Sequence, residues 1–86
     1  MKWDIGKNSI ACMDDEGGIA GQIDFREISP GLYDIFHTEV NDSHRGKGLA
    51  SELVKAAVDE IKWRKGTVQA SCSYAKKWMD SHPNLI

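Results

Sequence analysis

The residues most able to do chemistry lie in one short segment, His44-Arg45-Gly46-Lys47-Gly48-Leu49-Ala50-Ser51. It places two glycines and two permanent cations, Arg45 and Lys47, where a predicted strand turns into a predicted helix. The N–H groups at a helix start lack intrahelical partners, and the aligned peptide dipoles make that end positive. Glycines allow the backbone to come close to a ligand. The segment therefore predicts a phosphate or pyrophosphate site.

Two common phosphate-binding patterns do not fit this segment. A P-loop requires an earlier glycine that does not precede Gly46-Lys47 at the needed interval. The dinucleotide fingerprint fails because Ser51 stands where its third glycine belongs, and because no acidic residue ends the following strand. The simplest alternative is that Gly46 and Gly48 only shape a tight loop before the helix.

The chain before this segment has the pattern of strands joined by tight turns. From Ile19 onward apolar and polar residues alternate, which predicts a half-buried strand. Its predicted core face carries Ile19, Gly21, Ile23 and Phe25. The predicted strands are Ser9 to Met13, Ile19 to Arg26 and Leu32 to Val40, with turns at Asp14 to Gly18 and Ser29 to Gly31.

The chain after the segment changes to helical periodicity. One apolar stripe predicts an amphipathic helix from about Leu49, ending near Lys65-Gly66 with the glycine as a left-handed cap. Thr67 to Ser73 is predicted as a fourth strand, and Tyr74 to about Ser81 as a short helix stopped by a proline. The predicted fold is α+β: a mixed sheet of about four strands, an antiparallel meander plus one βαβ crossover, with two helices.

Composition limits the classes of function. The 86 residues suffice for one domain, residues 1–86, and the net charge of −2 argues against a dedicated nucleic-acid binder. No apolar run is long enough to cross a membrane, and the first residues lack the apolar core of a secretory signal, so we expect a cytoplasmic protein with reduced thiols. Cys12 and Cys72 make no metal-binding pattern with the three histidines, so no metal site is expected.

The loop segment also resembles a known motif. Arg45-Gly46-Lys47-Gly48-Leu49-Ala50 is similar to the Arg/Gln-x-x-Gly-x-Gly/Ala motif of the GNAT superfamily of acetyl-CoA-dependent N-acetyltransferases. Four blocks in order resemble the short, Yjdj-type GNAT-like family: His37-Thr38-Glu39-Val40, Gly46 to Ser51, Cys72-Ser73-Tyr74 and His82-Pro83.

This resemblance implies that acetyl-CoA is the cofactor. Its pyrophosphate would lie on the N–H groups of Gly46, Lys47, Gly48, Leu49, Ala50 and Ser51, with charge supplied by Arg45 and Lys47. The pantetheine arm would lie along the preceding strand, where Thr38, Glu39 and Val40 offer backbone hydrogen bonds. The thioester would lie between that strand and the strand ending at Cys72.

Three residues near the expected thioester are candidate catalytic groups. Cys72 precedes a helix start, a position that favours a reactive thiol, as nucleophile or proton donor; alternatively it packs beside Val68 and Ala70. His37 titrates in the range of a general base, although its strand parity with Ile35 also allows a structural role. Tyr74 is either the general acid or a core-capping side chain.

The resemblance is incomplete on the acceptor side. Larger GNAT enzymes have two helices between their first two strands, where this chain has only the turn from Asp14 to Gly18. We therefore expect the acceptor side to be open, or to be completed by a second copy or another partner. The predicted function is acetyl transfer to an unidentified small-molecule or protein amine. The alternatives are a non-catalytic CoA or acyl-CoA binding module and, less favoured, a nucleotide- or RNA-associated adaptor that uses His44, Arg45 and Lys47.

Overall fold

The computed structural model describes all 86 residues and contains one five-stranded sheet in the order β1-β2-β3-β4-β5. The first four strands form an antiparallel meander, and β5 joins β4 in parallel after the helix α1. The elements are β1 (Lys2–Ile5), β2 (Ser9–Met13), β3 (Ile19–Ser29), β4 (Leu32–Val40), α1 (Leu49–Trp63), β5 (Thr67–Ala70) and α2 (Ser73–Ser81). Short 3₁₀ turns occupy Asp42–His44 and Pro83–Leu85.

This architecture confirms the predicted α+β fold with its meander, single crossover and two helices. The number of strands was underestimated, because β1 was not predicted. All four residues of β1 are exposed, so its sequence lacks a buried apolar face. The Arg64 guanidinium holds this first hairpin against the end of α1 by donating to the carbonyls of Gly6 and Lys7 at 2.9 and 2.8 Å.

Three register shifts interrupt the strand pairings, and two of them, both β-bulges, change which residues face the core. The first lies between Cys12 and Met13, opposite Ala20, and leaves Ile19 half exposed instead of on the core face with Ile23. The second makes Phe36 an extra residue of β4, since Phe25 pairs with Ile35 while Asp24 pairs with His37. The expected parity between His37 and Ile35 is therefore wrong, because an extra residue reverses the alternation of side chains.

The core lies on one face of the sheet, which both helices cover. The apolar stripe of α1 is buried as predicted and packs on β2, β3, β4 and β5. Gly21 allows the closest approach, because a Cβ there would lie 2.9 Å from Leu53 Cδ1. Trp78 of α2 is buried and donates from Nε1 to Ser51 Oγ at 2.7 Å, which fastens α2 to the first turn of α1.

The end of α1 and the strand after it differ in detail from the prediction. Lys65, not Gly66, adopts the left-handed conformation, with φ of 62°. Gly66 is required for space instead, since a Cβ would lie 2.8 Å from the Tyr33 ring. The strand β5 ends at Ala70, and α2 begins at Ser73, one residue earlier than expected. None of the helices is long and apolar enough to span a membrane.

Candidate functional site

A gap opens in the sheet where β4 continues past the end of β5. The parallel pairing of these strands joins residues 32–35 to residues 67–70. At its end the Ile35 carbonyl accepts from the N–H groups of both Ser71 and Cys72, at 3.0 and 3.1 Å, and the chain then turns into α2. The remaining five residues of β4, Phe36 to Val40, have no strand beside them on this side.

A buried carboxylate fixes the point where the gap begins. Asp34 is 3% exposed and accepts from Ser71 Oγ at 2.7 Å and from Gln69 Nε2 at 3.2 Å. These bonds satisfy both carboxylate oxygens, as burial of a charge requires. They tie β4 to the end of β5, so the two strands separate at a defined residue.

The backbone of β4 presents peptide groups to the gap. Asn41 N–H donates to Ala20 O of β3, and peptide directions alternate along a strand. The N–H and C=O groups of Thr38 and Val40 therefore point away from β3 and into the gap, whereas those of Glu39 point toward β3. Across the gap, the Cys72 thiol donates to Thr38 Oγ1 at 3.6 Å.

The loop after β4 exposes a run of unpartnered donors. Gly46 and Gly48 both adopt positive φ, 81° and 77°, and Gly48 is the N-cap of α1. The first N–H of the helix that finds an acceptor is that of Glu52, which donates to Gly48 O. No N–H group from Gly46 through Ser51 donates to any protein acceptor, so six consecutive donors are available at the positive end of α1.

Four residues of this run, Gly46, Gly48, Leu49 and Ala50, border a cleft of about 230 Å³. The side chains and backbone that line it are those of Val40, His44, Arg45, Gly46, Gly48, Leu49, Ala50 and Tyr74. Arg45 contributes charge from its wall, held by Asp42 Oδ1 at 2.9 Å, and Lys47 is exposed without an ion-pair partner. The Ser51 hydroxyl accepts a hydrogen bond from Trp78 Nε1, so the unpartnered donor of Ser51 is its backbone N–H group.

A contact between an imidazole and a carboxylate joins two distant turns and supports the loop. The His44 Nε2 atom lies 3.5 Å from Asp14 Oδ2, and His44 Nδ1 is buried without a hydrogen-bond partner. The pKa of the Asp14 carboxyl is lowered mainly by the hydrogen bond that it accepts from Gly18 N–H. The hydrogen bond from Glu16 N–H and the His44 ring lower this pKa further. No periodic pattern in the sequence indicates this contact, which spans thirty positions.

The three candidate catalytic residues occupy different parts of the site. Cys72 lies at the N-cap of α2 beside the gap, half-buried. Tyr74 lines the loop cleft and makes no hydrogen bond. His37 stands on the uncovered face of the sheet, 3.8 Å from the Glu39 carboxylate, with both side chains exposed. Cys12, expected in the core, is fully buried, and burial raises the pKa of its thiol.

Comparisons with known proteins identify the family of this chain. A family model described as GCN5-related N-acetyl-transferase matches residues 10–85. The chain belongs to this family. Within the GCN5-related N-acetyltransferases, human Protein NATD1 is 32% identical over 59 residues, which cover 69% of this chain and 52% of that protein. The Xenopus tropicalis protein is 38% identical over 50 residues, 58% of this chain and 46% of its own. The chain thus spans about half the length of these curated relatives.

Solved structures agree on the fold. A GCN5-like protein from Staphylococcus aureus superposes with a TM-score of 0.77 at 28% identity, covering 98% of this chain and 82% of that one. The GNAT family N-acetyltransferase YhbS of Escherichia coli, solved in complex with CoA, gives a TM-score of 0.66 at 24% identity over 72% of this chain and 38% of its own. The latter likeness concerns the fold alone.

Proposed function

We propose that this protein binds acetyl-CoA and transfers the acetyl group to an amine. The observation that carries the proposal is the run of six unpartnered N–H groups, Gly46 to Ser51, at the mouth of the gap between β4 and β5. Pyrophosphate is an anion of the right size for such a run, and Arg45 and Lys47 add positive charge beside it. The CoA bound to YhbS, a protein of the same fold, supports this choice of cofactor.

The gap suits the pantetheine arm. The peptide groups of Thr38 and the Val40 N–H would pair with its amides as they would with a neighbouring strand, while the Val40 carbonyl accepts from Arg45 Nε at 3.4 Å. A thioester that reached Thr38 would lie beside Cys72, whose thiol lies against Thr38 Oγ1. In this arrangement Glu39 contributes no backbone hydrogen bond to the arm.

The transfer itself requires few groups. A neutral amine attacks the thioester carbonyl, its nitrogen–carbon bond forms as the carbon–sulfur bond breaks, and one proton passes from the amine to the departing thiolate. Positioning both reactants lowers much of the barrier. In the proposed reaction His37 takes the proton from an amine that arrives on the uncovered face of the sheet, and Cys72 or Tyr74 returns one to the thiolate. The acceptor is a small-molecule or protein amine, reached from this open side.

Binding is tested by titration calorimetry with acetyl-CoA, CoA and ATP. Acetyl-CoA and CoA should bind with similar affinity, because the pyrophosphate and pantetheine contacts are common to both. Saturable ATP binding without any response to CoA would refute the cofactor assignment and favour the nucleotide-associated alternative.

Catalysis is tested by following CoA release with acetyl-CoA and a panel of amines that includes lysine peptides. Release that depends on the amine supports transfer. Intact-mass measurement then distinguishes the routes, because an acetyl adduct that is absent from Cys72→Ser indicates a covalent intermediate. A protein that binds acetyl-CoA but never releases CoA is the non-catalytic binding module, and the transferase proposal is then wrong.

A further inference from the structure

The strand β1 presents a free edge at the side of the sheet farthest from the gap. It pairs only with β2, and β2 lies between it and the rest of the sheet. Gly6 N–H donates to Ser9 O within the first hairpin, so by alternation the peptide groups of Asp4 and Lys2 also point toward β2. The peptide groups of Trp3 and Ile5 therefore point outward and have no partner. Such an edge is a template for another strand.

The side chains along this edge are unusual for an exposed strand. Met1, Trp3 and Ile5 are 60%, 41% and 55% exposed. Trp3 and Ile5 share the helix-bearing face, since they pair with Cys12 and Ile10, and Met1, just before β1, lies on that face with its Sδ accepting from Cys12 Sγ at 3.3 Å. On the opposite face stand Lys2 and Asp4, of opposite charge, neither of which has an ion-pair partner in the protein. The edge thus combines three apolar side chains with two unpaired charges.

We propose that β1 pairs antiparallel with β1 of a second copy of this chain, with Trp3 opposite Trp3. When two copies pair through a two-fold axis in one continuous sheet, residues of the same face lie opposite each other. The numbers of two opposing residues are then both odd or both even, and their sum, which is the same for every pair, is even and defines the register. A sum of 4 sets Lys2 against Lys2, and a sum of 8 sets Asp4 against Asp4, both of which repel. A sum of 6 sets Lys2 against Asp4 twice, Met1 against Ile5 twice, and Trp3 against Trp3.

This register also gives the outward-pointing peptide groups of Trp3 hydrogen-bond partners. Because the Trp3 peptide groups point outward, the central pair exchanges two N–H to O=C hydrogen bonds. The product is a ten-stranded sheet in which four strands, β1 to β4, separate each gap from the new interface. The dimer therefore leaves each CoA site and acceptor side open, and it does not complete the acceptor site of either copy.

The test uses sedimentation velocity of the full chain from about 10 µM to about 1 mM, the range suited to a patch this small. The unmodified protein should dimerise across this range. The variants Lys2→Glu and Asp4→Lys should each dimerise at least tenfold more weakly, because each places like charges opposite one another. An equimolar mixture of the two should form a heterodimer, since both cross-strand pairs are then complementary, and the double variant should recover the homodimer.

Far-UV circular dichroism and thermal unfolding establish that each variant is folded. A wild-type protein that stays monomeric to about 1 mM overturns the proposal. So does a mixture that associates no better than its two components, or single variants that dimerise as tightly as the wild type, since the interface would then lie elsewhere.

Discussion

Replacement of Gly48 by alanine tests whether the loop geometry itself binds the cofactor. Gly48 has φ of 77°, and a Cβ there would meet no atom within 4 Å. The substitution therefore introduces backbone strain without a steric clash in the free protein. An alanine in the left-handed region costs about 1–2 kcal/mol.

Two measurable consequences follow from that strain. If the loop keeps its shape, the free energy of unfolding falls by this amount, which lowers Tm by about 4–8 °C per kcal/mol in a domain of this size. If the loop relaxes to negative φ, the peptide groups around Gly48 rotate out of the cleft. Loss of one charge-assisted hydrogen bond, about 1.5–3 kcal/mol, then weakens CoA binding by about 10- to 100-fold.

The assay is calorimetric titration with CoA alongside thermal unfolding, with two further variants as controls. Gly48→Asn should bind CoA nearly as the wild type does, because asparagine tolerates the left-handed conformation. Gly31→Ala carries the same strain, with φ of 78° and open space around its Cβ, but lies at the opposite end of β4. It should lower Tm and leave CoA affinity unchanged. If Gly48→Ala keeps the wild-type Tm, so that its loop has relaxed, and still binds CoA within twofold of wild type, the assignment of the pyrophosphate to this loop is refuted.

Three further predictions concern the scaffold and the thiols. Gly21→Ala should lower the free energy of unfolding by about 1–3 kcal/mol in urea titrations, because its Cβ would lie 2.9 Å from Leu53 Cδ1. Because the pKa of Asp14 is lower in the native than in the unfolded protein, its ionised carboxylate stabilises the fold. This stability is complete above the unfolded pKa near 3.8 and is lost as pH falls through the native pKa, so Asp14→Asn should flatten the acid limb of a stability–pH profile. Iodoacetamide should alkylate Cys72 in the native protein, more slowly when CoA is bound, and spare the buried Cys12 until the chain unfolds.

Each of these has a matched control. Gly6→Ala places its Cβ at an ordinary 3.4 Å from the nearest atom and should cost far less than Gly21→Ala. Equal losses would mean that packing under α1 is not the cause. For the acid profile, Asp15→Asn neutralises the adjacent carboxylate, which accepts no backbone hydrogen bond, and it should leave the profile unchanged. Alkylation of Cys12 before Cys72 would contradict the burial of Cys12 in β2.

The helix α1 and the loop before it were predictable because their information is local. The 3.6-residue stripe from Leu49 to Ile61 sets the buried face, and the glycines at 46 and 48 mark the turn into the helix. The strands β2 and β4 were located with correct bounds for the same reason. Their alternation and the turns between them are properties of consecutive residues.

The remaining features depend on partners far along the chain. A period of two does not show where an extra residue enters a strand, so the faces of Ile19 and His37 could not be derived from alternation alone. The contact of His44 with Asp14 and the bond from Trp78 to Ser51 join residues thirty and twenty-seven positions apart. The strand β1 has no buried side chain, and only its pairing with β2 reveals it.

The extra residue in β4 has a consequence for how this sequence can vary. Phe36 is held on the open face beneath the Arg26 guanidinium, 4.8 Å from the ring centroid, and every residue after it is displaced by one position. Deleting one residue here would turn the Thr38 and Val40 side chains outward and their peptide groups toward β3. Homologues that use the same gap should therefore keep the number of residues between Ile35 and Val40, even where the side chains differ.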